Sequence, residues 1–219
     1  MVTFVVEHLD PELGPWSALE YKTIARESSE AGCDFILSSV PTSLLQSKEL
    51  NDVGASARSD AVEVYFAHQK DRICLLDPAA KQELQPSDTQ HFDVLLFGGI
   101  LGDDPPRDRT SELRKKGFAG RRLGPVQMTT DTAVRVTRKV MLEGKKLEEI
   151  PYIDFPELKF AEHESTEMPF RYVTDTEGNP IMPEGMIELI KADADKGFDT
   201  LDFADENDGM GNLALNDAR

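Results

Sequence analysis

The run FDVLLFGGILGDDPPRDR, residues 92–109, decides how this chain is read. Its apolar centre breaks directly into glycines and then into a polar stretch carrying two prolines. A short apolar run closed by turn residues fits a strand buried on both faces of a parallel sheet, with its carboxyl end opening into a loop. RICLLDP (72–78) and RRLGPVQMTTDTAV (121–134) repeat the pattern on either side. Ligands of α/β sheets sit at such loops, so three of them within about sixty residues predict one small-molecule pocket built largely from backbone.

The same alternation extends outward. A strand is expected over Thr3–Val6, ending at Glu7 and His8. A helix follows over Pro15–Ala31, with Trp16, Leu19, Ile24 and Ala25 among its apolar positions and Gly32 closing it. Residues 35–40 read as a strand, and the Ser-rich stretch 42–60 as a loop or a short helix. Then come strand 72–76, helix 78–84, strand 93–97, a short helix near 110–117, strand 121–123 and helix 131–143. Beyond Gly144, segments 151–160 and 169–174 look extended, and Pro183–Ala194 reads as a last helix with Pro near its start. Strands alternating with helices predict an α/β fold, a mostly parallel sheet covered on both faces. The length, 219 residues, suits a single domain over 1–195 followed by a tail over 196–219. Asp199, Asp202, Asp205, Glu206 and Asp208 make that tail acidic, and its composition predicts disorder.

Charge narrows the partner. With 24 basic and 41 acidic side chains the formal net charge is −17. Nucleic-acid binders draw much of their affinity from neutralising phosphates, so no stable nucleic-acid binding is expected; a basic protein surface fits this field better. The local exception is Arg107, Arg109, Arg114, Lys115, Lys116, Arg121 and Arg122, read first as a solvated face paired with nearby acids. Cys33 and Cys74 have no metal-ligand spacing and make no disulfide scaffold, so no metal is expected. No apolar stretch reaches the ~18 residues of a membrane span, and the first residues lack a basic signal-peptide region. A reducing, cytoplasmic setting follows as an expectation.

LLDP, FGGILGD with PPRDRT, QMTTDTA, TEMPFRY and PEGM, in that order, resemble a SPOUT-superfamily methyltransferase. Within it the chain is similar to the fungal protein-arginine N-methyltransferases that modify a small-subunit ribosomal protein, from Val5 to about Asp193. The resemblance implies a SPOUT-type sheet with a deep trefoil knot over about 72–143, S-adenosylmethionine as cofactor, and a monomer that monomethylates one arginine of a basic ribosomal protein. It places the cofactor among Leu76, Asp77, Pro78, Phe97, Gly98, Gly99, Ile100, Leu101, Gly102, Leu123, Gly124, Met128, Thr129 and Thr130. These types suit the ligand. Apolar side chains wall an adenine, glycines admit close backbone approach, and threonines offer hydroxyls. Asp131 or Thr130 is expected to cap the helix that follows. The stretch is not G-x-G-x-x-G, so a phosphate cradle is not expected.

Arginine chemistry predicts carboxylates beside the cofactor. The guanidinium stays protonated below a pKa of about 12 and is a poor nucleophile. An acid can fix its planar fork and accept the proton as the C–N bond forms. Asp103, with Asp104 beside it, and Glu7 are the first candidates; Glu167 is the third. Each has a competing structural reading: Asp103 bonding backbone before Pro105, Glu167 pairing with Arg171. Asp77 contacts ribose or holds its turn. His8 reads as a base or a structural histidine, and Trp16 and Phe170 as site walls or core. Two other functions stay open: a SPOUT enzyme acting on RNA, and a ribosome-assembly factor without catalysis.

Overall fold

In the computed structural model, residues 2–8, 10–99, 110–161 and 164–193 are described. Six strands, β1 (Thr3–Glu7), β2 (Asp34–Ser38), β3 (Ser56–Ala57), β4 (Ile73–Leu76), β5 (Val94–Gly98) and β6 (Ala119–Arg121), form one sheet in the order β3-β2-β1-β5-β4-β6. Every pairing in it is parallel. The unbroken apolar runs FVV, ICLL and VLLF explain this, since a strand with helices on both sides has no face left for water. One face carries Phe4, Val6, Leu37, Cys74, Leu76, Leu95 and Phe97. The other carries Val5, Ile36, Ile73, Leu75, Val94 and Leu96. Period-two alternation within each strand sorts the two sets.

Over the first face lie α1 (Pro15–Glu30) and α5 (Thr130–Glu143), with Tyr21, Ile24, Val134 and Val140 in the shared core. The short α2 (Lys48–Val53) adds Leu50 and Val53 to it. The second face is covered by Val62 of α3 (Val62–Tyr65), Leu113 of α4 (Thr110–Lys115), Phe66 and Phe118. Gly144, left-handed at φ 68°, ends α5. After it the chain makes a two-part antiparallel ribbon. The base pairs β7 (Tyr152–Asp154) with β10 (Arg171–Val173), and the outer part pairs β8 (Glu157–Ala161) with β9 (Glu164–Glu167). Its inner side, Leu158, Met168, Phe170 and Tyr172, packs on Met186 and Ile190 of α6 (residues 186–193) and on Trp16 and Leu19 of α1.

Two expectations need correction, and a third, the short helix within 42–60, is borne out with a strand added. Residues 78–84 are not helical. The Asp77 carboxylate accepts the Ala79 N–H at 2.9 Å to form a turn, and the chain then runs beside Arg122, where Leu84 N–H donates to the Arg122 carbonyl. Backbone groups taken by that ladder are lost to a helix. The sixth strand begins at Ala119 because Gly117, at φ 77°, turns the chain two residues earlier than the sequence pattern placed it. Residues 42–60 hold both α2, capped by the Ser47 hydroxyl on the Leu50 N–H, and the short strand β3. The expected knot depends on the path of residues 100–109, which lies outside the described residues, as does the acidic tail.

Candidate functional site

Strands β4 and β5 end side by side, with Leu76 opposite Phe97 in the register. Just beyond their carboxyl ends lies a cavity of about 250 Å³. Leu76, Asp77, Pro78, Phe97 and Gly98 form its floor. The segment Leu123–Met128 forms a side wall, and Thr130 and Ala133 of α5 close it. Nine of the residues expected at the cofactor are therefore brought together: Leu76, Asp77, Pro78, Phe97, Gly98, Leu123, Gly124, Met128 and Thr130. Pro125, Val126, Gln127 and Ala133 join them. Those four carry no distinctive side-chain chemistry, so only their place between two expected lining residues could have marked them.

Gly99 and Thr129 do not line the cavity. A Cβ on Gly99 would stand 3.1 Å from the Glu7 carbonyl oxygen and 3.3 Å from the Tyr21 hydroxyl, so the glycine admits protein rather than ligand. Gly98 likewise makes room for Thr110, 3.0 Å from where its Cβ would be. Gly124, at φ 96°, is the lining glycine whose backbone needs the left-handed region. Thr129 is the N-cap of α5, but its hydroxyl is bonded to Asp131 at 2.7 Å and Thr132 at 2.8 Å. Neither Asp131 nor Thr130 caps the helix. Glu20 of α1 does so from across the interface, accepting the Thr130 N–H at 2.9 Å. Ile100, Leu101, Gly102, Asp103 and Asp104 lie outside the described residues.

The carboxylates sort by what already holds them. Asp77 lines the cavity, yet Arg114 donates to it from Nε at 2.6 Å and Nη2 at 2.7 Å, and the Thr110 hydroxyl adds a bond at 3.2 Å. Burial pushes its pKa up, but the Arg114 guanidinium, the Ala79 N–H and the Thr110 hydroxyl together outweigh it and hold the carboxyl below its usual range. Asp77 thus holds the turn and ties α4 to the pocket floor.

Glu7, expected to face the guanidinium, is 1% exposed. The Ser38 hydroxyl and the Val62 N–H (3.2 Å) donate to one of its oxygens. The Ser39 hydroxyl donates to the other at 2.7 Å, with the Lys116 ammonium 3.8 Å away. With donors on both oxygens and no water-facing side, Glu7 is a structural joint between β1, β2 and α3, and the catalytic expectation for it is corrected. Glu167 is exposed on the ribbon and outside the cavity lining. It does not pair with Arg171, whose partner is Asp154 at 2.6 and 2.8 Å.

Other expectations settle as packing. His8 is 3% exposed, its Nδ1 3.2 Å from the Tyr21 hydroxyl, and burial lowers its pKa although Asp10 pulls the other way. Phe170 and Trp16 belong to the ribbon core. The basic run is largely paired where it is described: Arg114 with Asp77, Lys115 with Glu112, Lys116 with Glu63, Arg121 with Asp88 and Arg122 with Glu83. Sequence reading missed Glu20 altogether. Buried beside the charge of Asp131, its carboxyl is pushed well above the ordinary range. Its neighbours Asp131 and Arg135 are also sealed, with Arg135 bridging to Glu27 at 2.6 Å.

A parallel sheet with a pocket just past two adjacent strand ends, walled by a turning segment and a helix start, is the arrangement of an α/β protein with a site for a small molecule. A Trm10 protein in complex with SAH shares this fold at a TM-score of 0.51, with 11% identity over 68% of this chain and 91% of that one. A profile for the SFM1-like protein arginine N-methyltransferases matches residues 3–197, and the chain belongs to that family. It is 43% identical to protein arginine N-methyltransferase SFM1 of Saccharomyces cerevisiae, over 90% of this chain and 98% of the yeast protein. The crystal structure of the yeast enzyme complexed with SAM superposes at a TM-score of 0.80, with 42% identity over 89% of this chain and 92% of that one.

Proposed function

We propose that this chain is an S-adenosylmethionine-dependent protein-arginine N-methyltransferase acting on a basic small-subunit ribosomal protein. The observation that carries this is the coincidence of family membership with a formed pocket lined by Leu76, Phe97, Leu123, Gly124 and Met128. The pocket suits the cofactor. Its walls are mostly apolar, as an adenine requires, and the turning Leu123–Met128 segment offers backbone groups to a base edge.

When bound, S-adenosylmethionine supplies an activated methyl group on a cationic sulfur. The substrate nitrogen forms the new C–N bond as the C–S bond breaks, and the guanidinium gives up one proton. The protein's share is alignment: the nucleophile must be held about 3–3.5 Å from the methyl carbon on the line away from sulfur. Thr130, Met128 and Gly98 line the pocket that would hold the donor for that alignment. For the acid that orients the guanidinium and takes its proton the proposal is Asp103, five residues past Gly98 in the sequence. Among the described lining residues the carboxylate is Asp77, and it is committed to Arg114.

A protein rather than RNA substrate is supported by the net charge of −17 and by the pairing of the described basic residues. A monomer is part of the proposal, and a cytoplasmic setting is supported by two free cysteines, of which Cys74 is buried in the core. Labelled S-adenosylmethionine incubated with this chain and ribosomal subunits tests the reading. Label is expected in one gel-resolved small-subunit protein, at arginine by mass spectrometry. Label in ribosomal RNA, or none, refutes it. Asp103→Asn is expected to lower turnover by about 10²–10³ while leaving cofactor affinity intact.

A further inference from the structure

The ribbon formed by residues 152–173 touches the pocket wall directly. Its Arg171 N–H donates to the Gln127 carbonyl at 2.8 Å, and Gln127 lines the cavity. Arg171 is paired in register with Asp154, and Phe155 follows at once. Two ladder spacings of about 4.8 Å therefore separate the pocket wall from the ribbon's outer strand. The inner side of this ribbon is packed against α1 and α6. The other side is seated on the main core at Tyr152 and Val173 but is exposed further out, at Phe155, Glu157 and Glu167 among the described residues, and that exposed part has an unusual make-up.

Phe155 is 49% exposed and held at φ 51°, a backbone region that bulky residues rarely occupy. Its N–H is bonded to the Phe170 carbonyl, so the bend that presents the ring is fixed by the ribbon itself. Two residues further along the chain, Glu157 stands directly opposite Glu167 across β8 and β9. Like charges in that position oppose strand pairing. Glu157 has partial relief from the Ser165 hydroxyl at 2.6 Å and from Lys159 at 3.9 Å. Glu167 makes no ion pair among the described residues. Over residues 151–173 the sequence places five carboxylates against Lys159 and Arg171.

We propose that the outward side of this ribbon, centred on Phe155, Glu157 and Glu167, docks the residues flanking the target arginine in an extended, basic segment of the protein substrate. The proposal rests on the arginine-methyltransferase reading above and adds where the substrate chain lies. An exposed ring beside opposed carboxylates suits a guanidinium or ammonium side chain, which stacks on the ring and is held by the acids. Docking is through side chains rather than by an added strand, because Pro156 removes an N–H at the kink and interrupts the outer edge. Cations at this surface answer the Glu157–Glu167 repulsion, so the ribbon is relieved when substrate binds.

Two variants of the full chain test this: Glu157→Gln with Glu167→Gln, and Phe155→Asn, since Asn tolerates the left-handed backbone. The probe is the protein fraction extracted from small ribosomal subunits, titrated with labelled S-adenosylmethionine in low salt. Each variant is expected to raise KM about five- to tenfold, without a matching fall in kcat and with calorimetric cofactor affinity unchanged. The defect of the double Gln variant should shrink in high salt, as screened charges require.

Unchanged KM in both variants overturns the surface. So does a fall in kcat at constant KM, which would move Glu167 to the reacting atoms. A changed sedimentation coefficient in the Phe155 variant would assign the face to a second copy of the chain. If the wild-type protein methylates nothing in the extract, the enzymatic reading itself fails and the surface with it. Transfer by wild type with variants indistinguishable from it sinks the surface alone.

Discussion

Replacing Glu7 with Gln separates a carboxylate that holds the fold from one that handles substrate. The side chain is sealed at 1% exposure and takes donors on both oxygens. The amide must put an NH₂ where one of those oxygens was. Placed toward Val62 it confronts a backbone N–H, and a buried donor without an acceptor costs about 1–3 kcal/mol. Placed toward Ser39 it instead meets the Lys116 ammonium, which keeps Glu63 as a partner at 2.7 Å. The hydroxyl there can turn to accept, so this orientation is the cheaper, and the loss is mainly that of charge assistance to the remaining bonds. A destabilisation of about 1–3 kcal/mol follows, which in a domain of this size lowers Tm by roughly 3–10 °C.

The assay has two arms: thermal unfolding by circular dichroism, and turnover with calorimetric cofactor affinity at a temperature where both proteins are folded. The structural role predicts a lower Tm with kcat within threefold of wild type. A group that stabilised charge at the reacting atoms would instead cost about 10²–10³ in kcat. A hundredfold loss of kcat at unchanged Tm would refute the assignment of Glu7 as a joint.

Gly124→Ala imposes a Cβ at φ 96° where the nearest neighbour, Arg171 Nη1, is 3.8 Å away, so strain and not space is the obstacle. At about 1–2 kcal/mol of strain it should weaken cofactor binding roughly five- to thirtyfold by calorimetry, and unchanged affinity would show that the wall relaxes freely. Arg114→Met leaves Asp77 buried without its cation. Because Asp77 is held below the ordinary range, its stabilisation is present above the unfolded value and lost as pH falls through the folded one. The variant should therefore be less stable at neutral pH and acid-unfold at a higher pH than wild type. Glu20 has the opposite sign. Its raised folded pKa favours the native state fully below the ordinary glutamate value and progressively less as pH rises toward the folded value. Glu20→Gln should remove a slope of up to about 1.4 kcal/mol per pH unit from urea-unfolding stability above pH 5. The burial-lowered His8 contributes a slope of the other sign near neutrality in both proteins, so the difference between them isolates Glu20.

The sheet was legible because its signal is local. VLLF, ICLL and FVV read as doubly buried strands, and the abrupt switches to Gly after VLLF and to Asp-Pro after ICLL mark carboxyl ends. The pocket followed from the same switches. What escaped is everything decided between elements. Residues 78–84 look helical until Arg122 arrives alongside to claim their backbone groups. Glu20 lies 110 positions from the N–H it accepts and looks like an ordinary surface acid of α1. Glu7 at a strand end has the address of a catalytic carboxylate. Only the convergence of Ser38, Ser39, Val62 and Lys116 on it shows otherwise.

That convergence changes how the acidic excess of the chain is to be understood. A carboxylate that receives a substrate guanidinium must keep unspent acceptor capacity and remain reachable by a long cationic side chain. The buried acids near the strand ends fail on one count or both. Glu7 is enclosed by donors, Asp77 is bound in a fork by Arg114, Glu20 is sealed and accepts the Thr130 N–H, and Asp131 is spent on Thr129 and Arg135. They stiffen the pocket, and a rigid pocket is what in-line transfer needs from residues that do not react. Among the described residues, exposed acceptor capacity is found on the ribbon that adjoins the pocket wall, at Glu157 and Glu167. The negative field of this protein therefore divides into a sealed part that fixes the cofactor's walls and an open part suited to gathering a basic chain. Neutralising the open part should cost substrate affinity first, and neutralising the sealed part should cost the fold.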